Sequence, residues 1–279
     1  MQAATLVLVA FALVTNWRQY VLQGTNGWLY YRETLQCFVK KLPDNTSAIS
    51  KADSVCKSAG TRLTVVTVPS SIEVYPEYLL HFDPPIADIW WARSGIVKRI
   101  RSAGVDYIDL LPAFREEKKK SVLYEKLDTH WSSAASCLSA KIVAEHLNAA
   151  GLSGPNRYRL KDSTAQFNPD LYRIKFDNDT FLAITPIRVV VPETISDDSS
   201  RILVIGDSHT ALFMNSNAHF AAHVELYTGC KVDCFRIING GVLGFEKLKE
   251  LLNKGVLRKY KRVVWIFADR AFMFPFETE

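Results

Sequence analysis

The sequence lacks a collagen-like period, an extended low-complexity tract and any internal repeat, which excludes fibrous, mainly disordered and solenoid architectures. No C-x-x-C pair occurs among its five cysteines, so the usual spacing of zinc ligands is missing. No basic stripe interleaved with aromatics is present. The net charge of +5, from 34 Lys+Arg against 29 Asp+Glu, admits an anionic partner without implying nucleic acid. Residues 1–17 carry no charge. Their apolar stretch, Ala3 to Val14, is too short for a spanning helix, which needs about 20 residues. No basic segment precedes it, as one would in a signal peptide. The stretch reads as the end of a signal anchor or as an ordinary buried helix. The missing polar stripe favours the anchor.

What is present is the composition of one large folded unit: 279 residues, 48% hydrophobic, 23% charged and 11% aromatic. Residues 18–279 are expected to form a single α/β domain. Cys56 and Cys137 sit in helical patterns and read as buried thiols. Cys230 and Cys234 are close enough to form a disulfide in an oxidising compartment. The odd count leaves at least one thiol free.

Helices and strands alternate along the chain. Helical periodicity covers 48–59, 88–103, 132–149 and 245–253, and Gly60, Gly104 and Gly151 stop the first three. Strands are expected over Arg62–Val68, Val105–Leu110, Arg201–Ile205 and Arg262–Phe267. Val224–Tyr227 and Cys234–Ile238 read as short extended segments, and a helix is expected from about His209. The pattern predicts a mostly parallel sheet with helices on both faces. Residues 152–200 break it and read as a β-hairpin insertion, with arms Leu171–Phe176 and Phe181–Val191 around Asn178-Asp179. In such sheets, sites form at the C-terminal ends of strands. Pro69, Ser208 and Asp269 all lie just past such ends.

Ser208 follows Gly206-Asp207 at a strand end and opens a helix. That turn exposes a hydroxyl, and free N–H groups stand ready for a developing oxyanion. A hydroxyl of normal acidity needs a base. His130, in Asp128-Thr129-His130-Trp131, is the best candidate: an extended segment would put Asp128 on the same side as His130, where it can hold one ring nitrogen while the other faces Ser208. Trp131 is placed to wall off water. Taken singly, each motif is equally a helix start with a capping Ser or Asp; together they point to a Ser–His–Asp arrangement. His81, His146, His219 and His223 are less suited, and His209 is expected to point away from Ser208. Asn239, in Asn239-Gly240-Gly241, is a candidate second oxyanion donor. Trp28, Tyr30 and Tyr75 are candidates for stacking on sugar rings or for core packing. The runs Lys118–Lys120 and Arg258–Arg262 read as solvated faces. Asn45-Thr-Ser and Asn178-Asp-Thr fit the glycosylation pattern.

Four blocks resemble those of the SGNH-hydrolase-like polysaccharide O-acetyltransferases of the alginate type (AlgX/AlgJ-like). They are Gly27-Trp28-Leu29-Tyr30-Tyr31, the Val68-Pro69 to Glu77 block, Asp128-Thr129-His130-Trp131 and Gly206-Asp207-Ser208. The order, D-x-H before G-D-S, is also that family's, and the resemblance runs from about residue 27 to the end. It implies an SGNH-like (flavodoxin-like) fold and a triad of Ser208, His130 and Asp128. It also implies acetyl transfer to hydroxyls of an exported polysaccharide in the periplasm, with the acetyl group supplied by a membrane-bound O-acyltransferase. Ser71 stands where the family has Lys. Asp269-Arg270 resembles its E-R pair with Asp for Glu, which leaves Arg270 as a structural or substrate contact. No carbohydrate-binding module is expected after this domain. Neither the motifs nor the resemblance requires a cofactor or resident metal. Three other functions stay open: an acetylesterase with the same triad, a metal-dependent hydrolase using the pairs Asp128/His130 and Asp207/His209, and a non-catalytic polysaccharide-binding protein.

Overall fold

The structure is a computed structural model. It describes residues 20–39, 42–79, 86–176, 181–193 and 200–276. The apolar segment 1–17, His81 and the Asn178-Asp179 turn lie outside the described residues.

In chain order, β1 (Val21–Gln23), β2 (Leu29–Tyr31) and α1 (Arg32–Val39) lead to α2 (Thr46–Ser58), β3 (Arg62–Val68), α3 (Ser71–Val74) and α4 (Ile86–Ser102). Then come β4 (Asp106–Asp109), α5 (Leu111–Glu117), α6 (Ser133–Ala149), β5 (Tyr158–Phe167), α7 (Asp170–Lys175) and β6 (Ala183–Pro192). The last third contains β7 (Ile202–Gly206), α8 (Ser208–Ala211), α9 (Phe220–Thr228), β8 (Val232–Arg236), α10 (Gly240–Asn253) and β9 (Arg262–Ala268).

Five strands form one parallel sheet in the order β4-β3-β9-β7-β8. Its inner strands are near-continuous apolar runs, interrupted in β3 by the buried Thr64 and Thr67, because both faces are covered. Side chains on a strand alternate faces, and the core divides accordingly. Val66, Val68, Ile202, Val204, Val264 and Ile266 face one way, against Phe114, Val143, Leu147, Phe220 and Val224 of α5, α6 and α9. Leu63, Val65, Leu203, Ile205, Val263, Trp265 and Phe267 face the other, against Ile49, Cys56, Ile96, Ile100 and Leu248 of α2, α4 and α10. Each Val or Ile buried this way contributes about 1.5–3 kcal/mol.

Two expectations are corrected. Val224–Tyr227 is not extended but belongs to helix α9. This helix is buried between α6 and the sheet, so it has no polar stripe to reveal a helical period. The insertion is a two-stranded antiparallel ribbon, but its first arm is β5, not Leu171–Phe176, and it pairs in register from Tyr158↔Pro192 to Phe167↔Ala183. Residues 171–175 belong to α7, between the arms. The ribbon docks on the domain through polar contacts. Arg188 N donates to Ser133 Oγ (3.0 Å), and His223 Nε2 donates to the Arg188 carbonyl (2.8 Å).

Cys56 and Cys137 are buried, as expected, while Cys230 and Cys234 are free thiols rather than a disulfide. Asn45 is also buried. It ties α2 to the chain's last described turn, donating to the Phe274 carbonyl and accepting from Phe276 N, both at 3.0 Å. A glycan could not reach it there. Among the described residues, no helix is long and apolar enough to cross a membrane.

Candidate active site

The C-terminal ends of β3, β9 and β7 open onto one cleft, lined by Pro69, Ser70, Thr129, His209 and Arg270, with Tyr31 and Thr34 from the β2–α1 junction. Ser208 is the first residue of α8, separated from β7 only by Asp207. Two glycines make this turn possible. A Cβ at Gly206 would lie 2.7 Å from the Ile266 carbonyl oxygen, and one at Gly240 would lie 2.6 Å from the Asp207 amide nitrogen. The Asn239–Gly240 turn is therefore pressed against the backbone that presents Ser208. Asp207 fixes the turn from within. Its Oδ1 accepts from the His209 amide (2.9 Å) and ring Nδ1 (3.0 Å), and its Oδ2 accepts from Ala268 N (2.8 Å). Burial opposes ionisation of Asp207, but His209, the Ala268 N–H and the Arg270 charge outweigh it and hold its carboxyl well below the usual range.

His130 Nε2 lies 2.7 Å from Ser208 Oγ, across 78 positions of sequence. Its Nδ1 lies 2.6 Å from Asp128 Oδ1, which also accepts the His130 amide (2.8 Å). The segment carrying them is not extended, contrary to the sequence expectation. It is a series of bends in which Asp128 bonds the backbone two residues on, an Asx-type turn that brings carboxylate and ring together. Asp128 is buried. Burial alone would raise its pKa, yet the bond and charge of His130 and the backbone N–H groups of Asp170 and His130 bring it below the ordinary value. Burial alone would lower the pKa of His130. The bond and charge of Asp128, with the charge of Asp170, prevail over it and over Arg270, so the imidazole is raised. An ionised Asp128 accepts from Nδ1–H, which leaves Nε2 free to accept the Ser208 hydroxyl proton.

The structure thus brings Ser208, His130 and Asp128 together, and Arg270, in the adjoining cleft with Thr129 and His209, is near enough for its charge to act on His130. Trp131 is fully buried and donates from Nε1 to the His209 carbonyl (3.0 Å). It braces the turn after Ser208 from behind. His209 does not point away. Its ring stands 5.0 Å from that of His130 and edge-on to Trp131 at 5.6 Å. Asn239 is exposed, in the left-handed region (φ 56°), and adjoins the Ser208 turn through Gly240. Tyr75 stands apart. It is buried, its ring lies 4.6 Å from that of Trp28, and its hydroxyl accepts from Leu123 N (2.9 Å). It is a packing residue, and no face is left for a sugar.

Beneath the cleft lies a charge cluster that sequence reading missed. Arg93 of α4 donates to Asp269 Oδ2 (2.8 Å), Asp109 Oδ1 (2.6 Å) and Thr67 Oγ1 (3.0 Å), and lies 3.7 Å from Glu73 Oε1. Glu73 Oε2 in turn accepts the amide (2.7 Å) and hydroxyl (2.8 Å) of Ser70. One guanidinium therefore ties together the ends of β3, β4 and β9. Three carboxyls crowd it, and burial with the neighbouring Glu73 pushes Asp269 well above the ordinary value. So Asp269 partners Arg93 rather than its neighbour Arg270, which stays in the cleft. Partners 176 residues apart leave no local signal.

Asp170 was missed as well. Its Oδ2 lies 3.8 Å from His130 Nδ1, and Pro169-Asp170 is a helix-start signal that could have revealed it. Asp128, His130 and Asp170 bring possible ligand atoms within 4.8 Å of one another, the one such group among the described residues. Each carboxylate oxygen in it already accepts a protein N–H or O–H. The group is internally satisfied, and Asp207 is closed onto His209 and Ala268. The donor set fits a hydrogen-bonded relay better than a metal centre.

The chain is similar to known proteins in sequence and in fold. The family described as "SGNH hydrolase-like domain, acetyltransferase AlgX" matches residues 21–267. The chain is 28% identical over 142 residues to the probable alginate O-acetylase AlgJ of Pseudomonas aeruginosa, covering 50% of this chain and 35% of that protein. It thus spans about a third of that relative's length. Among solved structures, the O-acetyltransferase domain of Pseudomonas putida AlgJ superposes with a TM-score of 0.73 at 22% identity, covering 91% of this chain and 93% of that one. Pseudomonas aeruginosa AlgX gives 0.70 at 21% identity, covering 90% and 62%. These likenesses show an SGNH-like α/β fold.

Proposed function

The chain belongs to the family of SGNH hydrolase-like domains of the acetyltransferase AlgX type, and from that premise we propose that it moves acetyl groups through Ser208 onto hydroxyls of an exported polysaccharide. The observation that carries the proposal is the continuous relay from Ser208 Oγ through His130 to Asp128, at 2.7 and 2.6 Å. Ser208 Oγ attacks the acetyl carbonyl carbon while its proton passes to His130 Nε2. The donor's leaving group takes that proton and departs, and an acetyl ester remains on Ser208. A sugar hydroxyl then attacks the ester, gives its proton to His130, and Ser208 recovers it. Asp128 keeps the ring in the correct tautomer and stabilises the imidazolium formed in each half-reaction.

The tetrahedral oxyanion is held by the Ser208 amide and by Asn239, whose turn is fixed against Asp207. Arg270 provides a cation in the cleft for a negatively charged acceptor. Relatives named as alginate O-acetylases support a polysaccharide acceptor. We place the domain in the periplasm, supplied with acetyl by a membrane-bound O-acyltransferase. The test is transfer from a chromogenic acetyl ester to uronate and neutral oligosaccharides, read by mass spectrometry of the sugars. Acetylated oligosaccharide that depends on Ser208 supports the proposal. Hydrolysis to acetate alone at saturating acceptor means an esterase.

A further inference from the structure

The relay is held by a segment from outside the sheet. Helix α7, inside the ribbon insertion, docks on the loop 127–130 through four hydrogen bonds. Asp170 N donates to Asp128 Oδ2 (2.7 Å), Thr129 N donates to Asp170 Oδ1 (2.7 Å), the Thr129 hydroxyl donates to Asp170 Oδ2, and Tyr172 N donates to the Leu127 carbonyl (3.1 Å). Leu171 anchors the helix, fully buried against Val21 and Leu29. Asp128 has two oxygens and two tasks. Oδ1 serves His130 and Oδ2 serves the Asp170 amide, so the carboxylate plane cannot rotate without breaking one of them.

We propose that Asp170 is a positioning residue for the Asp128–His130 pair: it locks the loop through Thr129, fixes the Asp128 carboxylate through its own amide, and adds a second negative charge behind the imidazole. The groups facing His130 are Asp128 on its own loop, Asp170 on α7, Ser208 and His209 on α8, and Arg270 after β9. Asp170 stands beside the nitrogen opposite the nucleophile. Burial and the charge of Asp128 raise the pKa of Asp170 itself, and in its ionised form Asp170 favours the imidazolium that forms as Ser208 gives up its proton, without touching a reacting atom. The insertion is accordingly part of the catalytic apparatus and not a decoration on the sheet.

The kinetic part rests on the proposed acetyl transfer; the titration part does not. The full chain is compared with Asp170→Asn, Asp170→Glu and Asp170→Ala, by NMR titration of the His130 ring and by turnover of a chromogenic acetyl ester. Asp170→Asn keeps the size and the backbone amide but loses the charge. The expected result is a fall in the His130 pKa of about one pH unit, and a kcat lowered about ten-fold or more with KM within about two-fold. Asp170→Glu recovers the pKa in part. If Asp170→Ala fails to fold, the near-isosteric Asn variant carries the test. A His130 titration unchanged in Asp170→Asn, or a lowered melting temperature with unchanged pKa and kcat, overturns the proposal. Absence of turnover by the unaltered chain counts against the acetyl-transfer reading alone, and the NMR titration still decides on Asp170.

Discussion

Replacing Asp128 by Asn removes one charge and one acceptor without changing shape, and the surrounding donors dictate the response. Asp128 receives three of them: His130 Nδ1 at 2.6 Å, the His130 amide at 2.8 Å and the Asp170 amide at 2.7 Å. An Asn side chain has one acceptor oxygen and one NH2. If the NH2 faces His130, Nδ1 must become an acceptor. The ring then carries its proton on Nε2, pointing at Ser208, and cannot act as base. If the NH2 faces Asp170, two N–H groups confront each other at hydrogen-bond distance in a buried place. The bonds that raise the His130 pKa are lost in the first case, and its charge partner in both. Each arrangement turns the NH2 against one backbone N–H, that of His130 in the first and that of Asp170 in the second; both remove the charge that stabilises the imidazolium, and the first removes the base as well. A wrong-tautomer imidazole lowers kcat by about ten-thousand-fold, which corresponds to about 5 kcal/mol of transition-state stabilisation. The assay is acetyl release from a chromogenic ester, with a thermal melt to establish that the variant is folded. A folded Asp128→Asn enzyme within about ten-fold of the unaltered rate would refute the reasoning.

The same geometry has consequences elsewhere in the molecule. Because His130 is raised above its ordinary value of 6.5 and must be neutral to accept a proton, the acid limb of kcat/KM falls above pH 6.5; a limb below it contradicts the assigned neighbours. The stabilisation that this raised group contributes is complete below its unfolded pKa and is lost as pH rises through its folded value. Arg93→Met leaves Asp109, Glu73 and Asp269 without their cation, and denaturant unfolding should show a loss of about 3–5 kcal/mol; a loss under about 1 kcal/mol would mean that the cluster protonates at no cost. Gly240→Ala drives a Cβ into the Asp207 backbone, and pre-steady-state kinetics should show acylation slowed about ten-fold or more. Gly95→Ala, on α4 with nothing within 4 Å of the new Cβ, should instead stabilise by about 0.5–1 kcal/mol in the same melts.

How much of this was legible in the sequence depends on which interactions are local. Strands β3, β7 and β9 announce themselves because both faces are buried and their apolar runs end at Pro69, Gly206 and Asp269. The D-x-H and G-D-S motifs were legible for the same reason: two-residue and three-residue spacings fix local geometry. Asp128 meets His130 through a turn rather than along a strand. The ribbon's first arm, Tyr158–Phe167, is largely exposed, so it lacks the alternation that marks a half-buried strand. Leu171-Tyr-Arg-Ile-Lys-Phe176 does alternate, but Pro169 and Asp170 start a helix there, and Leu171 and Ile174 pack one turn apart against the same cluster. Arg93 left no local signal because Asp269 lies 176 residues away, and Asp170 offered only a helix start, with nothing local to show that it meets a loop 41 positions earlier.

The central claim is that folding makes Ser208 a nucleophile through His130, and the most direct measurement is intact-protein and peptide mass spectrometry after brief exposure to an activated acetyl ester. The predicted result is an added mass of roughly 42 Da (one acetyl group) on the peptide carrying Ser208, absent in Ser208→Ala and at least a hundred-fold slower in His130→Ala. Acetyl found on another residue, or labelling of Ser208 at an undiminished rate without His130, would contradict it.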